Sequence, residues 1–202
     1  MVTTPQPSIV VTPEFRMLWP NLFTARAVKI KGRETGEPKY GLSMLLDPTE
    51  IGDLKTAAKT VALAKWPGRT LSELKFPFSD GDKLEAAQAE AGRDGKFYAG
   101  TIVLKASSKF KPVVVDTSRK DIIDHSRLYS GCYGYAELNF VAYDGVGQNP
   151  DGVTAYVNFV MKSRDGDRIA GRDAKGVFAG ISGGETEPVP SDLSAFDDEI
   201  PF

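Results

Sequence analysis

Apolar and polar residues alternate most clearly in the second half of the chain. Over residues 132–143, Cys132, Gly134, Ala136, Leu138, Phe140 and Ala142 fall on one side of a two-residue period, and Tyr133, Tyr135, Glu137, Asn139, Val141 and Tyr143 fall on the other. Residues 153–162 repeat the pattern. There Val153, Ala155, Val157, Phe159 and Met161 oppose Thr154, Tyr156, Asn158, Val160 and Lys162. Asp144-Gly145, Asp151-Gly152 and Asp165-Gly166 stand where the chain must reverse. Upstream, residues 100–107 and 113–116 predict two more strands. Residues 39–46 predict another, with Tyr40, Leu42, Met44 and Leu46 sharing a face. Residues 15–23 read as a strand that Pro20 stops, with Trp19 as core packing. No internal repeat is present.

Between the strands the period changes. Asp47-Pro48 has the form of a helix start, Asp as cap and Pro at the first helical position. The helix is expected to run to about Trp66, with Ile51, Leu54, Ala58, Val61 and Ala62 as its apolar stripe. Residues 31–38 form a polar turn. Residues 67–99 are poor in apolar side chains and read as a surface insertion. Within it, Asp82 with Glu85 suits a capping box and Gly92 a helix end. Residues 1–13, with three prolines, form an extended arm that is loosely held.

Beyond Arg172 the strand pattern fades, and residues 183–202 lack the apolar content that offsets the entropy of ordering. They are expected to form a disordered acidic tail after a domain covering residues 1–182. The last six residues, Asp197, Asp198, Glu199, Ile200, Pro201 and Phe202, place three carboxylates before three apolar residues. That order suits a docking peptide: charge to approach a basic surface, then an apolar hook with a terminal carboxylate.

Composition sharpens this division. The chain has 202 residues, 25 Lys+Arg and 27 Asp+Glu, a formal net charge of -2. Six of the acids follow Gly183, where no Lys or Arg occurs, so 21 acids face 25 bases in the body. A mildly basic body must concentrate its charge locally to hold phosphates. A single cysteine, Cys132, permits no intrachain disulfide, and with one histidine, His125, it argues against Cys/His zinc sites. Without a signal sequence or a long apolar run, the expected location is the cytoplasm. Cys132 falls on the core side and is expected to be inert.

Enzyme signatures are thin. No phosphate-binding loop or nucleophile elbow occurs. Asp80 and Asp82, or Asp116, Asp121 and Asp124, offer carboxylates for a divalent ion, but Asp-Gly pairs in loops more often make turns. His125 beside Asp124 reads as an exposed loop pair. No cofactor is expected. Binding of single-stranded nucleic acid has more support, since it needs cations for phosphates and rings for exposed bases. Lys105, Lys109, Phe110 and Lys111 lie on one strand and its connection. Tyr133, Tyr135, Tyr156 and Lys162 are expected on polar strand faces. Arg119, Lys120, Arg127 and Tyr129 flank the loop before the long strand.

The tip closely resembles that of bacterial single-stranded DNA-binding proteins. In the body, Trp19-Pro20-Asn21-Leu22-Phe23, Pro38-Lys39-Tyr40-Gly41-Leu42, Tyr129-Ser130-Gly131-Cys132-Tyr133, Tyr143 with its following Gly-rich loop, and Arg164-Asp165-Gly166-Asp167-Arg168 resemble a phage-encoded family of single-stranded DNA-binding proteins, over roughly residues 15–175. That family is similar to the T7-type binding proteins. The resemblance implies a mainly β, five-stranded OB-fold barrel with inserted helices and an acidic tail. It also implies sequence-non-specific coating of single strands in phage replication and recombination, in the cytoplasm of an infected bacterial host. Partners would be single-stranded DNA and, through the tip, replication or recombination proteins, with self-association left open. Two rivals remain: an annealing protein that also binds duplex DNA, and a metal-dependent nuclease using the loop aspartates.

Overall fold

The computed structural model describes residues 8–30, 33–147 and 149–169. The expectations for the first residues of the arm, for the tail with its docking tip and for the boundary at 182/183 lie outside the described residues. Along the chain run β1 (Ile9–Val11), β2 (Phe15–Ile30), β3 (Arg33–Leu46), α1 (Gly52–Lys65), β4 (Phe78–Asp80), α2 (Gly81–Glu90), β5 (Ile102–Ser108), β6 (Val113–Val115), β7 (Tyr133–Tyr143) and β8 (Gly152–Arg164).

Five of the strands close on themselves in the order β2-β3-β5-β8-β7, with β7 returning to β2. The β5–β8 contact is parallel and the other four contacts around the ring are antiparallel. This is the closed, mainly β OB-type barrel. Closure removes the unpaired edges that a five-stranded open sheet would expose. The inward residues of every barrel strand meet in one core, including Phe15, Met17, Leu42, Met44, Leu104, Leu138, Phe140 and Val157. Phe78 from β4 stacks on Phe140, ring centroids 6.1 Å apart. Helix α1 adds Leu54, Ala58 and Ala62 to the same core, the stripe its spacing predicts. Cys132 is fully buried there, and burial pushes its thiol up, away from the reactive thiolate.

Several local expectations are corrected. Pro20 does not stop the first barrel strand; β2 continues to Ile30 through a register shift between Leu18 and Asn21. Proline has no N–H to give to the ladder, so the chain bulges. Trp19 takes φ +51 and turns outward, 46% exposed rather than in the core, while its N–H donates to Ser130 Oγ at 3.0 Å. Residues 33–38, expected in a turn, extend β3 instead: Arg33, Glu34 and Thr35 pair with Ile30, Lys29 and Val28 of β2, since the ladder is made by backbone groups. The arm is also less loose than expected. Ile9, Val10 and Val11 pair with Asn139, Leu138 and Glu137 of β7.

The helix starts also move. Asp47 Oδ1 accepts from the N–H and hydroxyl of Thr49, capping a turn, and α1 begins five residues later. In the 67–99 insertion, Asp80 rather than Asp82 caps α2, accepting from the N–H groups of Asp82 and Lys83. Gly92 takes the left-handed conformation just past the helix, as expected. The insertion is no loose appendage: Leu84, Phe97 and Tyr98 cover Leu18, Leu45 and Val103 on the outer face of β2, β3 and β5.

The last correction is a face reversal in β8. Glu137 pairs with Phe159 but Leu138 pairs with Val157, so one extra residue is accommodated on β8. A one-residue slip moves every later side chain to the other face. Phe159 is therefore half exposed and Val160 fully buried, the opposite of the simple alternation. Lys162, expected on the solvated face, is 8% exposed.

Candidate nucleic-acid interface

The outer face of the barrel is divided by the insertion. Where α2 and its neighbours cover it, the face is apolar. Beyond that cover, β3, β5 and β8 present an open groove of 510 Å³. Pairing of Ser43 with Lys105 and of Tyr40 with Ser108 sets the register of β3 against β5 and leaves Lys105 exposed. Ala106 pairs with Ala155 of β8, which places Tyr156 on the same lining.

The far wall comes from the segment leading into β4. Phe78 pairs with Leu104, and Lys75 forms a bridge with Gly152 at the start of β8. The Lys75 N–H donates to the Asp151 carbonyl at 2.9 Å, and the Lys75 carbonyl accepts from Val153 at 2.8 Å. Arg69 holds Asp151 by an ion pair, and Lys65 meets Asp144 at 2.7 Å, tying the end of α1 to the β7–β8 loop. The Asp151 carboxyl is held below its usual range, first by Arg69 and then by the Gly145 N–H. Gly152 is required at this bridge, since a Cβ there would lie 2.4 Å from the Lys75 carbonyl oxygen and 2.9 Å from the Tyr143 hydroxyl.

The groove thus gathers Lys39, Lys75 and Lys105 with Phe76, Tyr143 and Tyr156. Among the described residues no carboxylate lines it. Three ammonium groups over a low-dielectric wall attract an anionic chain, and the rings offer flat apolar faces. Electrostatics change at one end, where Lys109 pairs with Glu37. The Lys109 ammonium holds the Glu37 carboxyl below its usual range, and Glu37 in turn raises Lys109. An anionic strand arriving there must compete with Glu37 for Lys109. The Glu37→Gln variant frees that cation and is expected to bind oligo-dT about 2- to 5-fold more tightly at low salt, with the advantage vanishing at high salt. Fluorescence anisotropy at two salt concentrations measures it.

The candidates named from sequence do not share one surface. Lys105 and Tyr156 line the groove, Lys109 stands at its end, and Phe110 follows, 84% exposed. Lys111 lies beyond, its ammonium 6.0 Å from the ring centroid of Phe23. Arg119 occupies a tight turn with φ +61, and Arg127 faces Asp116 at 3.9 Å. Tyr129, Tyr133 and Lys162 gather where β8 ends. There Arg164 lies 3.4 Å from the Tyr133 ring centroid and Arg168 4.2 Å from that of Tyr129. Lys162 pairs with Asp165 at 2.5 Å, and the Tyr129 hydroxyl donates to the same carboxylate at 2.9 Å. These rings already carry cations from their own chain. Tyr135 is half-buried on β7, opposite Met161.

Lys39, Lys75, Phe76 and Tyr143 were not among the sequence candidates. Two aromatics around Pro77 in an otherwise polar insertion mark that stretch, and Lys39 alternates with the inward Tyr40 and Leu42. Neither pattern reveals that strand pairing brings them to Lys105. The loop aspartates have local roles. Asp116 accepts from the N–H groups of Ser118 and Lys120, Asp124 from Ser126, and Asp82 from Gly100. Among the described residues no three His, Cys, Asp or Glu side chains come together as a metal site.

Residues 8–187 match the model of a family described as Enterobacter phage Enc34, ssDNA-binding protein. The chain belongs to this family. It is 31% identical over 169 residues to protein p50 of Acyrthosiphon pisum secondary endosymbiont phage 1, covering 77% of this chain and 83% of that one. Among solved structures it is similar in fold to the single-stranded DNA-binding protein from bacteriophage Enc34 in complex with ssDNA. The TM-score is 0.61 at 18% identity, over 81% of this chain and 90% of that one. It is also similar to gp2.5, a single-stranded DNA-binding protein encoded by bacteriophage T7. There the TM-score is 0.52 at 14% identity, over 92% of this chain and 100% of that one.

Proposed function

We propose that this family member binds single-stranded DNA without sequence preference in the groove across β3, β5 and β8, coating single strands in phage replication and recombination. The observation that carries the reading is the grouping of Lys39, Lys75 and Lys105 with Phe76 and Tyr156 on the outer face of an OB barrel. Lysines meet phosphates as mobile point charges, and rings accept any base, so the groove has the chemistry of affinity without base-edge readout. No bond is made or broken. Titration of the full chain with oligo-dT and with duplex of equal length, across salt, tests this: oligo-dT should bind more tightly and weaken as salt rises. Equal affinity for both forms would favour an annealing protein instead.

The acidic residues after Gly183 supply a tethered competitor for the same groove at high effective concentration. Arrival of DNA would release the tip, whose Ile200, Pro201 and Phe202 follow Asp197, Asp198 and Glu199, to dock on a basic protein surface with an apolar pocket. A chain ending at Gly183 is expected to bind oligo-dT at least as tightly as the full chain, by about 2- to 10-fold at low salt. It should also lose its association with replication or recombination partners. Weaker DNA binding after truncation would count against the competition.

A further inference from the structure

A second ring-and-cation site lies beyond the groove. Phe23 follows the β2 bulge, which turns Leu22 into the core and leaves Phe23 partly exposed. Its ring stacks on the imidazole of His125, centroids 4.2 Å apart and planes within 9°. His125 opens a single 3-10 turn, His125–Arg127, capped by Asp124. The Lys111 ammonium stands over Phe23. Two hollows flank the pair: one of 310 Å³ also lined by Lys111 and Ile123, and one of 200 Å³ also lined by Arg26.

Phe23 packs against the barrel core, but core packing does not account for the ring laid over it. His125 is exposed, so the stack presents a flat aromatic surface to solvent, and Ile123 beside it is 85% exposed. A cation borders each hollow, Lys111 the larger, where the Asp121 carboxylate also stands, and Arg26 the smaller. Lys109, Phe110 and Lys111 are consecutive, and they lead from the end of β5 to Phe23, over which the Lys111 ammonium stands. Rings and cations therefore continue from the groove end to the stacked pair along one short connection.

We infer that the Phe23–His125 pair is a second base-stacking position for the same strand, entered past Phe110 as the strand leaves the groove. Lys111 and Arg26 meet the phosphates there, and a base lies on the imidazole. This rests on the single-strand reading of the groove, and the test separates the two. The full chain is titrated with oligo-dT of increasing length, alongside His125→Ala, His125→Phe, Lys111→Ala and Tyr156→Ala.

At lengths that fill only the groove, His125→Ala should match the wild type. At greater lengths the wild type gains affinity and His125→Ala does not, ending about 5- to 50-fold weaker. Lys111→Ala should lose part of that gain, and His125→Phe, which keeps a ring, should retain it. Tyr156→Ala is weaker at every length. Equal gains with length in the wild type and His125→Ala overturn the second position and leave the groove standing. A His125→Ala deficit independent of length overturns it too, because the pair then acts on the groove itself. A wild-type chain that binds no oligo-dT overturns the groove, and the second position with it.

Discussion

Reversing the charges at Lys75 and Lys105 together lowers oligo-dT affinity by about 100-fold at low salt and flattens its salt dependence. Both side chains line the groove, Lys105 from β5 and Lys75 from the segment bridged to β8. Each phosphate left without its cation takes roughly 0.7 from the slope of log affinity against log salt for single strands, so the slope of the double variant should fall by more than one unit. Reversal adds repulsion, which neutral substitution would not. Lys105 is exposed and Lys75 is held by its backbone hydrogen bonds, so the barrel should retain its urea midpoint. Lys55→Glu and Lys59→Glu on the exposed side of α1 serve as the matching control, with affinity within about 2-fold of the wild type. An unchanged salt slope in the Lys75/Lys105 variant would place the phosphates elsewhere.

The Phe140→Ala variant unfolds about 3–5 kcal/mol more easily than the wild type, measured by urea denaturation. Phe140 is among the largest fully buried side chains, sits on β7 opposite Ala155 of β8, and stacks on Phe78 from β4. Truncation leaves a cavity where the barrel strands and the insertion meet, and a close-packed barrel relaxes into it only partly. Since domains of this size are stable by about 5–15 kcal/mol, the loss is a large share of the total. The same ring stack supports β4 beside Lys75 and Phe76, so DNA affinity should fall before global unfolding. A loss below about 1 kcal/mol would mean that the Phe78–Phe140 stack does not hold the barrel together.

Much of the barrel was legible because its strands obey a two-residue period. The β7 face assignment needed no revision: Cys132, Gly134, Ala136, Leu138 and Phe140 are buried. The stripe on α1 was equally plain, since Leu54, Ala58 and Ala62 recur at helical spacing. Errors arose where one residue shifts the period. The β8 bulge reversed Phe159, Val160 and Lys162, and the bulge at Trp19-Pro20 turned outward a tryptophan expected in the core. A bulge has no strong signature in a single sequence. It is selected by the twist and closure of the barrel, which depend on distant strands.

The candidate site was half legible for a related reason. Lys105, Tyr156, Lys109 and Phe110 could be named as the right types on strands or their ends. Lys39, Lys75, Phe76 and Tyr143 come from separate stretches, and only pairing brings them to one groove. Conversely, Tyr129, Tyr133 and Lys162 looked like free rings and a free cation. Instead they are engaged by Arg168, Arg164 and Asp165, and for each tyrosine the engaging segment lies far along the chain.

Residue order alone settled the quantities that are local or additive: the strand and helix periods, the excess of base over acid before Gly183, and the acidic, apolar-ended last residues. Those follow from neighbours a few positions apart and from counting charges. Which lysines and rings share a surface, and which are spent on internal pairs, was decided only when β5 met β8 in parallel and Lys75 met Gly152. Register across a closed sheet is a long-range property, set by how the whole core packs.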